Sequence, residues 1–191
     1  MLNHISRDSL RSSLFFVYSL MVLVIFILPY FSAEGYSIFL HTTSELGAQN
    51  TPNSWIMNCI FILLALGTVY GAWIKFRKDI LLVFLIFVFS FSLSMTAVFS
   101  HAPISMDIQF SQIEDTYHSL FSTLTGFSFT MFAISFGFSQ KIKKRRVMAI
   151  SIAVLASFFS ILIFQFPEFA GIWQRFLFLT TFFWLFFFCY N

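Results

Sequence analysis

Three histidines, two carboxylates and one arginine stand where the chain enters or leaves long apolar runs: His41, Glu45, His101, Asp115, His118 and Arg175. Imidazole nitrogen and carboxylate oxygen are ligands that zinc takes, and a catalytic zinc keeps one position open for water. Asp115 and His118 have the i, i+3 spacing that places two groups on one helix face. His118, Asp115, His101 and His41 are therefore the candidate metal ligands, and Asp115, His118 and Ser119 the candidate catalytic set. A guanidinium grips carboxylate or phosphate in a planar fork. Arg175 is accordingly the candidate for holding a substrate, grouped with Ser44, Glu45 and Gln174. No HExxH or CxxC motif narrows the chemistry further. The same residues also fit a role without chemistry, in which Glu45 or Asp115 pairs with Arg175 and clamps helices together.

The elements that position these groups are membrane helices. Of 191 residues, 59% are apolar, only 10% are charged and 31 are Phe, whereas soluble domains are about 45–50% apolar and about 25% charged. Six runs are long enough to cross a bilayer as helices: about 14–31, 55–74, 80–99, 117–138, 147–166 and 172–190. They are apolar throughout rather than alternating, which excludes a transmembrane barrel. The expected fold is all-α, one six-helix membrane domain over residues 1–191. Residues 1–33 also have the outline of a signal peptide, with Arg7 and Arg11 before the apolar run and Ala33 at the cleavage position. Phe31 stands where such a site needs a small residue, and the run is longer than usual, so a first span is the better reading. Cys59 and Cys189 both lie in apolar runs, as packed thiols rather than a disulfide framework.

Charge sorts the connections into two sides. Arg7 and Arg11, then Lys75, Arg77 and Lys78, then Lys141, Lys143, Lys144, Arg145 and Arg146 make ten of the eleven basic residues on one side. Cytoplasmic loops collect Lys and Arg, so both chain ends are expected inside, in a bacterial-type inner membrane. His4 falls on that side. The other side holds His41, His101, His118, six of the eight acids and Arg175.

Within span four, Ser119, Thr123, Gly126, Thr130, Ala133 and Gly137 recur every three or four residues and form one stripe. Small residues mark a packing face in membrane helices, so Asp115, His118 and Ser119 are expected to point into the bundle near its outer rim. Gly67 and Gly71 form a GxxxG expected to pack within the bundle. Pro29 can end or bend span one, and Trp55, Trp73 and Trp173 sit at span ends as interfacial anchors do.

Ser44-Glu45-Leu46-Gly47-Ala48 before span two, Tyr117-His118-Ser119 in span four and Gln174-Arg175 opening span six together resemble a bacterial six-span membrane family catalogued as domain of unknown function nine-nine-eight. The resemblance covers nearly the whole chain. It implies the six-helix architecture and no established activity, and it makes Glu45, His118 and Arg175 the motif residues. A looser likeness to ceramidase-like membrane hydrolases rests on the Asp115–His118 spacing, but those enzymes place paired His in a late helix and spans five and six here have none.

The functional expectation is a membrane protein of unassigned activity with an outward-facing polar pocket built from Glu45, His101, Asp115, His118 and Arg175, binding or structural in role. The alternative is a metal-assisted, lipid-modifying hydrolase at the outer leaflet, with zinc as cofactor; the first reading needs none. The expected partners are membrane lipids and a lipid or small molecule on the outer side, with no nucleic acid. A carrier fits less well, since no span is broken mid-membrane by Gly or Pro. Haem fits less well again, since no two His oppose each other deep in the spans.

Overall fold

The structure is a computed structural model that describes residues 2–105 and 107–190, with side chains from Arg11 onward. Met1, Met106, Asn191 and the side chains of residues 2–10, His4 and Arg7 among them, lie outside it. The described residues are helical, without strands. The helices are α1 (Leu2–Ile27), the single turn α2 (Thr43–Leu46), α3 (Ser54–Phe76), α4 (Ile80–Val98), α5 (Gln112–Ser139), α6 (Lys143–Gln165) and α7 (Ala170–Trp184). Six segments are long and apolar enough to cross a membrane: Arg11–Phe31, Ser54–Phe76, Ile80–Val98, Gln112–Ser139, Lys143–Gln165 and Pro167–Cys189.

Several helices run past the apolar stretch that marks them in sequence. Helix α5 begins at Gln112 because Ser111 caps it, its hydroxyl accepting from Glu114 N–H at 3.3 Å. Asp79 caps α4 in the same way, accepting from Leu82 N–H at 3.2 Å. A serine or aspartate at the N-cap satisfies a donor the first turn otherwise leaves free. Helix α1 gives way at Ile27 to a 3-10 turn over Leu28–Phe31 that contains Pro29, because proline lacks the N–H that would continue the ladder.

Long helices adjacent in sequence pack together, and α1 closes the bundle against α3 and α7. Aromatic side chains of α7 reach every other long helix. Phe178 meets Phe61 of α3, Phe182 meets Phe89 of α4, and Phe176 meets Phe159 of α6. Phe183 meets Tyr18 of α1, and Trp184 meets Phe129, Phe132 and Phe136 of α5. Lipid is as apolar as these rings, so association depends on packing and hydrogen bonds rather than on escape from water; an edge-to-face or offset pair adds about 0.5–1.5 kcal/mol beyond burial. Gly67 and Gly71 serve contacts within the chain, against Leu14 and Phe186 and against the ring of Tyr190.

The loops gather at two ends. One end holds residues 28–53, 99–105, 107–111 and 166–170, joined by Gly171 N–H to Phe39 O, Gln49 N–H to His101 O, and Asn53 Nδ2 to Phe31 O. The other holds the tight α3–α4 and α5–α6 turns with their lysines and arginines. These are called below the polar end and the basic end.

Candidate functional site

Arg175, on the first turns of α7, is 2% exposed. Its guanidinium faces oxygens that carry no formal charge. Nε donates to Ile25 O at 3.1 Å, and Nη1 to Ile38 O, His41 O and Gly171 O at 2.9–3.0 Å. Nη2 donates to the Tyr36 hydroxyl at 2.8 Å, and the guanidinium carbon lies 5.8 Å from that ring's centre. Neither Glu45 nor Asp115 pairs with it among the described residues, so the expected arginine–carboxylate clamp is instead an arginine–carbonyl clamp. The reason is local. Ile25 O is the acceptor a helix would join to residue 29, and Pro29 has no N–H to give. The 36–41 loop turns more carbonyls toward the same place. A buried cation needs its donors engaged, and these oxygens engage them.

Glu45 is occupied elsewhere. Its Oε2 accepts from Thr42 N–H at 2.5 Å and from the Thr42 hydroxyl at 2.8 Å, while that hydroxyl accepts from Glu45 N–H at 3.3 Å. This capping box starts α2. Gln174 completes it, its Oε1 accepting from Thr43 N–H, the Thr43 hydroxyl and Ser44 N–H at 2.5–3.2 Å. Adjacent residues of α7 thus hold adjacent stretches of one loop, Arg175 the carbonyls before α2 and Gln174 the amides that open it. Gly171 permits the approach, since a Cβ there would collide with the carbonyl oxygens of Ile38, Phe39 and His41. The Tyr36 hydroxyl lies 3.0 Å from His41 O and 2.7 Å from Thr42 O. Burial pushes its pKa up to about 12, against the opposing pull of the Arg175 charge and hydrogen bond and with a smaller push from Glu45.

A second cluster joins α4, α5 and the loop between them. His118 is 2% exposed, and its Nδ1 lies 3.0 Å from Thr96 O and 2.9 Å from Phe99 O. Both partners are acceptors, so Nδ1 carries the proton and Nε2 carries a lone pair. That Nε2 is buried without a hydrogen-bond partner among the described residues. The His101 ring stands edge-on to it with centroids 5.1 Å apart. His101 Nδ1 lies 3.0 Å from Ala102 O and 3.6 Å from Asp115 Oδ1, which accepts from Ala102 N–H at 2.8 Å. Gln49 ties this loop to the one before α3, donating to Ser100 O and Ser111 O at 3.0 Å and accepting from Ser111 N–H at 2.8 Å.

The candidate residues therefore fall into two groups. Ser44, Glu45, Gln174 and Arg175 form one with Tyr36; His101, Asp115 and His118 form the other. Among the described residues no hydrogen bond or ion pair links the two sets of side chains. His41 belongs with the first, its Nδ1 accepting from Ser37 N–H at 2.9 Å. No group of three or more His, Cys, Asp or Glu is placed to hold a metal among the described residues. The span-four stripe divides: Ala133 and Gly137 are buried, with Gly137 against Ile150 and Ala149 of α6, while Ser119 and Thr123 are exposed. Ser119 does not point into the bundle with His118. The two are neighbours about 100° apart on a helix, and α4 covers only the His118 side. Tyr36, Gln49 and the Ile25 carbonyl were not foreseen from sequence; Pro29 was the available signal for the last, since a proline frees a carbonyl four residues earlier.

No curated protein and no solved structure matches the chain. A family model described as "Protein of unknown function (DUF998)" matches residues 16–191, from within α1 through the last long helix and across both polar clusters. The chain belongs to that family.

Proposed function

We propose that the chain is a binding protein of a bacterial-type inner membrane, with the polar end outward, both termini cytoplasmic, and the His101–Asp115–His118 cluster as its ligand site. The supporting observation is the unpartnered, buried Nε2 of His118. An imidazole lone pair held in place by two carbonyls on the opposite nitrogen calls for a donor, and a small molecule or lipid headgroup bearing an N–H or O–H supplies one. The arginine–glutamine clasp has a structural role in this reading, fixing the 36–47 segment that leads into Gln49, which in turn bonds the His101 loop.

Diethyl pyrocarbonate acylates a free imidazole nitrogen. In proteoliposomes it should modify the partly exposed His101 readily and reach the buried His118 more slowly, only as the cluster opens to admit a ligand, read by peptide mass spectrometry. His118→Asn, whose amide still donates to Thr96 O and Phe99 O, should keep the fold. An inert His118 in the intact protein would make the cluster purely structural. Orientation is checked separately with an impermeant maleimide in a chain whose two native Cys are replaced: Ser105→Cys should label from outside, and Lys141→Cys only after permeabilisation.

The metal-assisted hydrolase stands as a second reading because His101 neighbours both Asp115 and His118, although the three side chains as they stand are not arranged around one ion. It requires about one zinc per purified chain, which metal analysis measures directly.

A further inference from the structure

The basic end holds a cavity of about 160 Å³ between α5, α6 and the end of α7, lined by Phe136, Arg145, Met148, Trp184, Phe187 and Phe188. Its walls are aromatic or thioether apart from one guanidinium. Arg145 is exposed, and so is Phe188 at the rim. The neighbouring cation is engaged differently, Arg146 Nη2 donating to Gln140 O at 3.0 Å and closing the end of α5. Arg145 has no hydrogen bond or ion pair among the described residues. The α3–α4 and α5–α6 turns together carry eight cations, Lys75, Arg77, Lys78, Lys141, Lys143, Lys144, Arg145 and Arg146, against one acid, Asp79. Asp79 is engaged in capping α4.

We propose that this cavity seats an anionic phospholipid, with Arg145 on the lipid phosphate and the first methylenes of one acyl chain among Phe136, Trp184 and Phe188. The volume is too small for a whole lipid and suits the start of one chain, the remainder lying along the exposed flank. A planar guanidinium matches the geometry of a phosphate diester. Arg145 is the one cation that lines the cavity, so it sets the preference for an anionic headgroup over a zwitterionic one at this seat, and the aromatic walls favour a lipid over a free anion. The proposal needs only that the helices span a bilayer. It does not depend on which end faces out.

Trp184 lines the cavity and reports its occupant. In the full-length chain with Trp55, Trp73 and Trp173 replaced by Phe, phosphatidylglycerol brominated near the headgroup should quench Trp184 with roughly fivefold higher apparent affinity than equally brominated phosphatidylcholine, the gain expected of one basic contact. Arg145→Gln should abolish that preference, and Lys143→Gln on the same turn should leave it. Arg145 is exposed and makes no hydrogen bond or ion pair among the described residues, so its replacement should leave the melting temperature unchanged. Equal quenching by the two lipids, or a preference that survives Arg145→Gln, would overturn the proposal. Inorganic phosphate added to phosphatidylcholine vesicles should not change the emission; a change would mark a free-anion site and overturn it equally.

Discussion

Arg175 donates through Nε to the carbonyl of Ile25, the acceptor that Pro29 leaves without a helical donor. A proline in one span and an arginine in another thus form a single device. Arg175→Met takes the side-chain donor from Ile25 O and Ile38 O, while His41 O and the Tyr36 hydroxyl keep each other, and it should destabilise the bundle by about 3 kcal/mol or more, since each buried unpaired polar group costs about 1–3 kcal/mol. In a Pro29→Ala background residue 29 regains its N–H, so the same substitution should cost about 1 kcal/mol less. Unfolding by SDS titration in mixed micelles measures both. Independent, additive losses would break the link between the two residues.

Gln174 works through one oxygen. Gln174→Ala leaves Thr43 and Ser44 amides uncapped and should cost about 1–2 kcal/mol, the range for losing a helix cap. Gln174→Glu keeps an acceptor at the same place and should hold most of the stability. If the two variants unfold together, the side chain matters for bulk rather than for capping.

Glycine positions separate close approach from mere smallness. A methyl group at Gly171 meets three carbonyl oxygens, whereas one at Gly126 meets nothing within 4 Å. Gly171→Ala should lower the melting temperature and expose the 36–41 loop to protease. Gly126→Ala should raise stability by about 0.5–1 kcal/mol through helix propensity. Matching effects at the two sites would contradict this packing.

The Tyr36 phenol keeps its proton up to about 12, above the ordinary 10.0. The folded state therefore binds a proton that the unfolded chain has released between those values. Its contribution is complete below pH 10 and falls as pH rises toward 12. Stability of the parent chain should drop more steeply across that window than stability of Tyr36→Phe, which has no phenol to titrate. Parallel curves would show that Tyr36 is not held in its neutral form.

The spans were legible because twenty apolar residues have few other uses, and charge asymmetry grouped the loops correctly as neighbours. The polar residues were legible as important but not in their pairing. Sequence suggests that Arg175 seeks a carboxylate, because side-chain charge is visible in a sequence and a backbone carbonyl freed by a turn is not. Glu45 illustrates the same limit. The pattern Thr42-Thr43-Ser44-Glu45 is a capping box, and its carboxylate was reserved for its own helix. His118 and Ser119 were assigned one face from small-residue spacing, yet burial follows where α4 lies, and local periodicity does not report that.

Helix α7 touches all five other long helices through its aromatic side chains and also holds the 36–47 loop through Gln174 and Arg175. A ribosome delivers this segment after the others have already entered the bilayer. Until it arrives, five spans lack their common partner and the loop has nothing to fasten it. Biogenesis of this protein should therefore have a late committing step, and membrane proteases should clear nascent chains arrested before residue 170 far faster than finished ones.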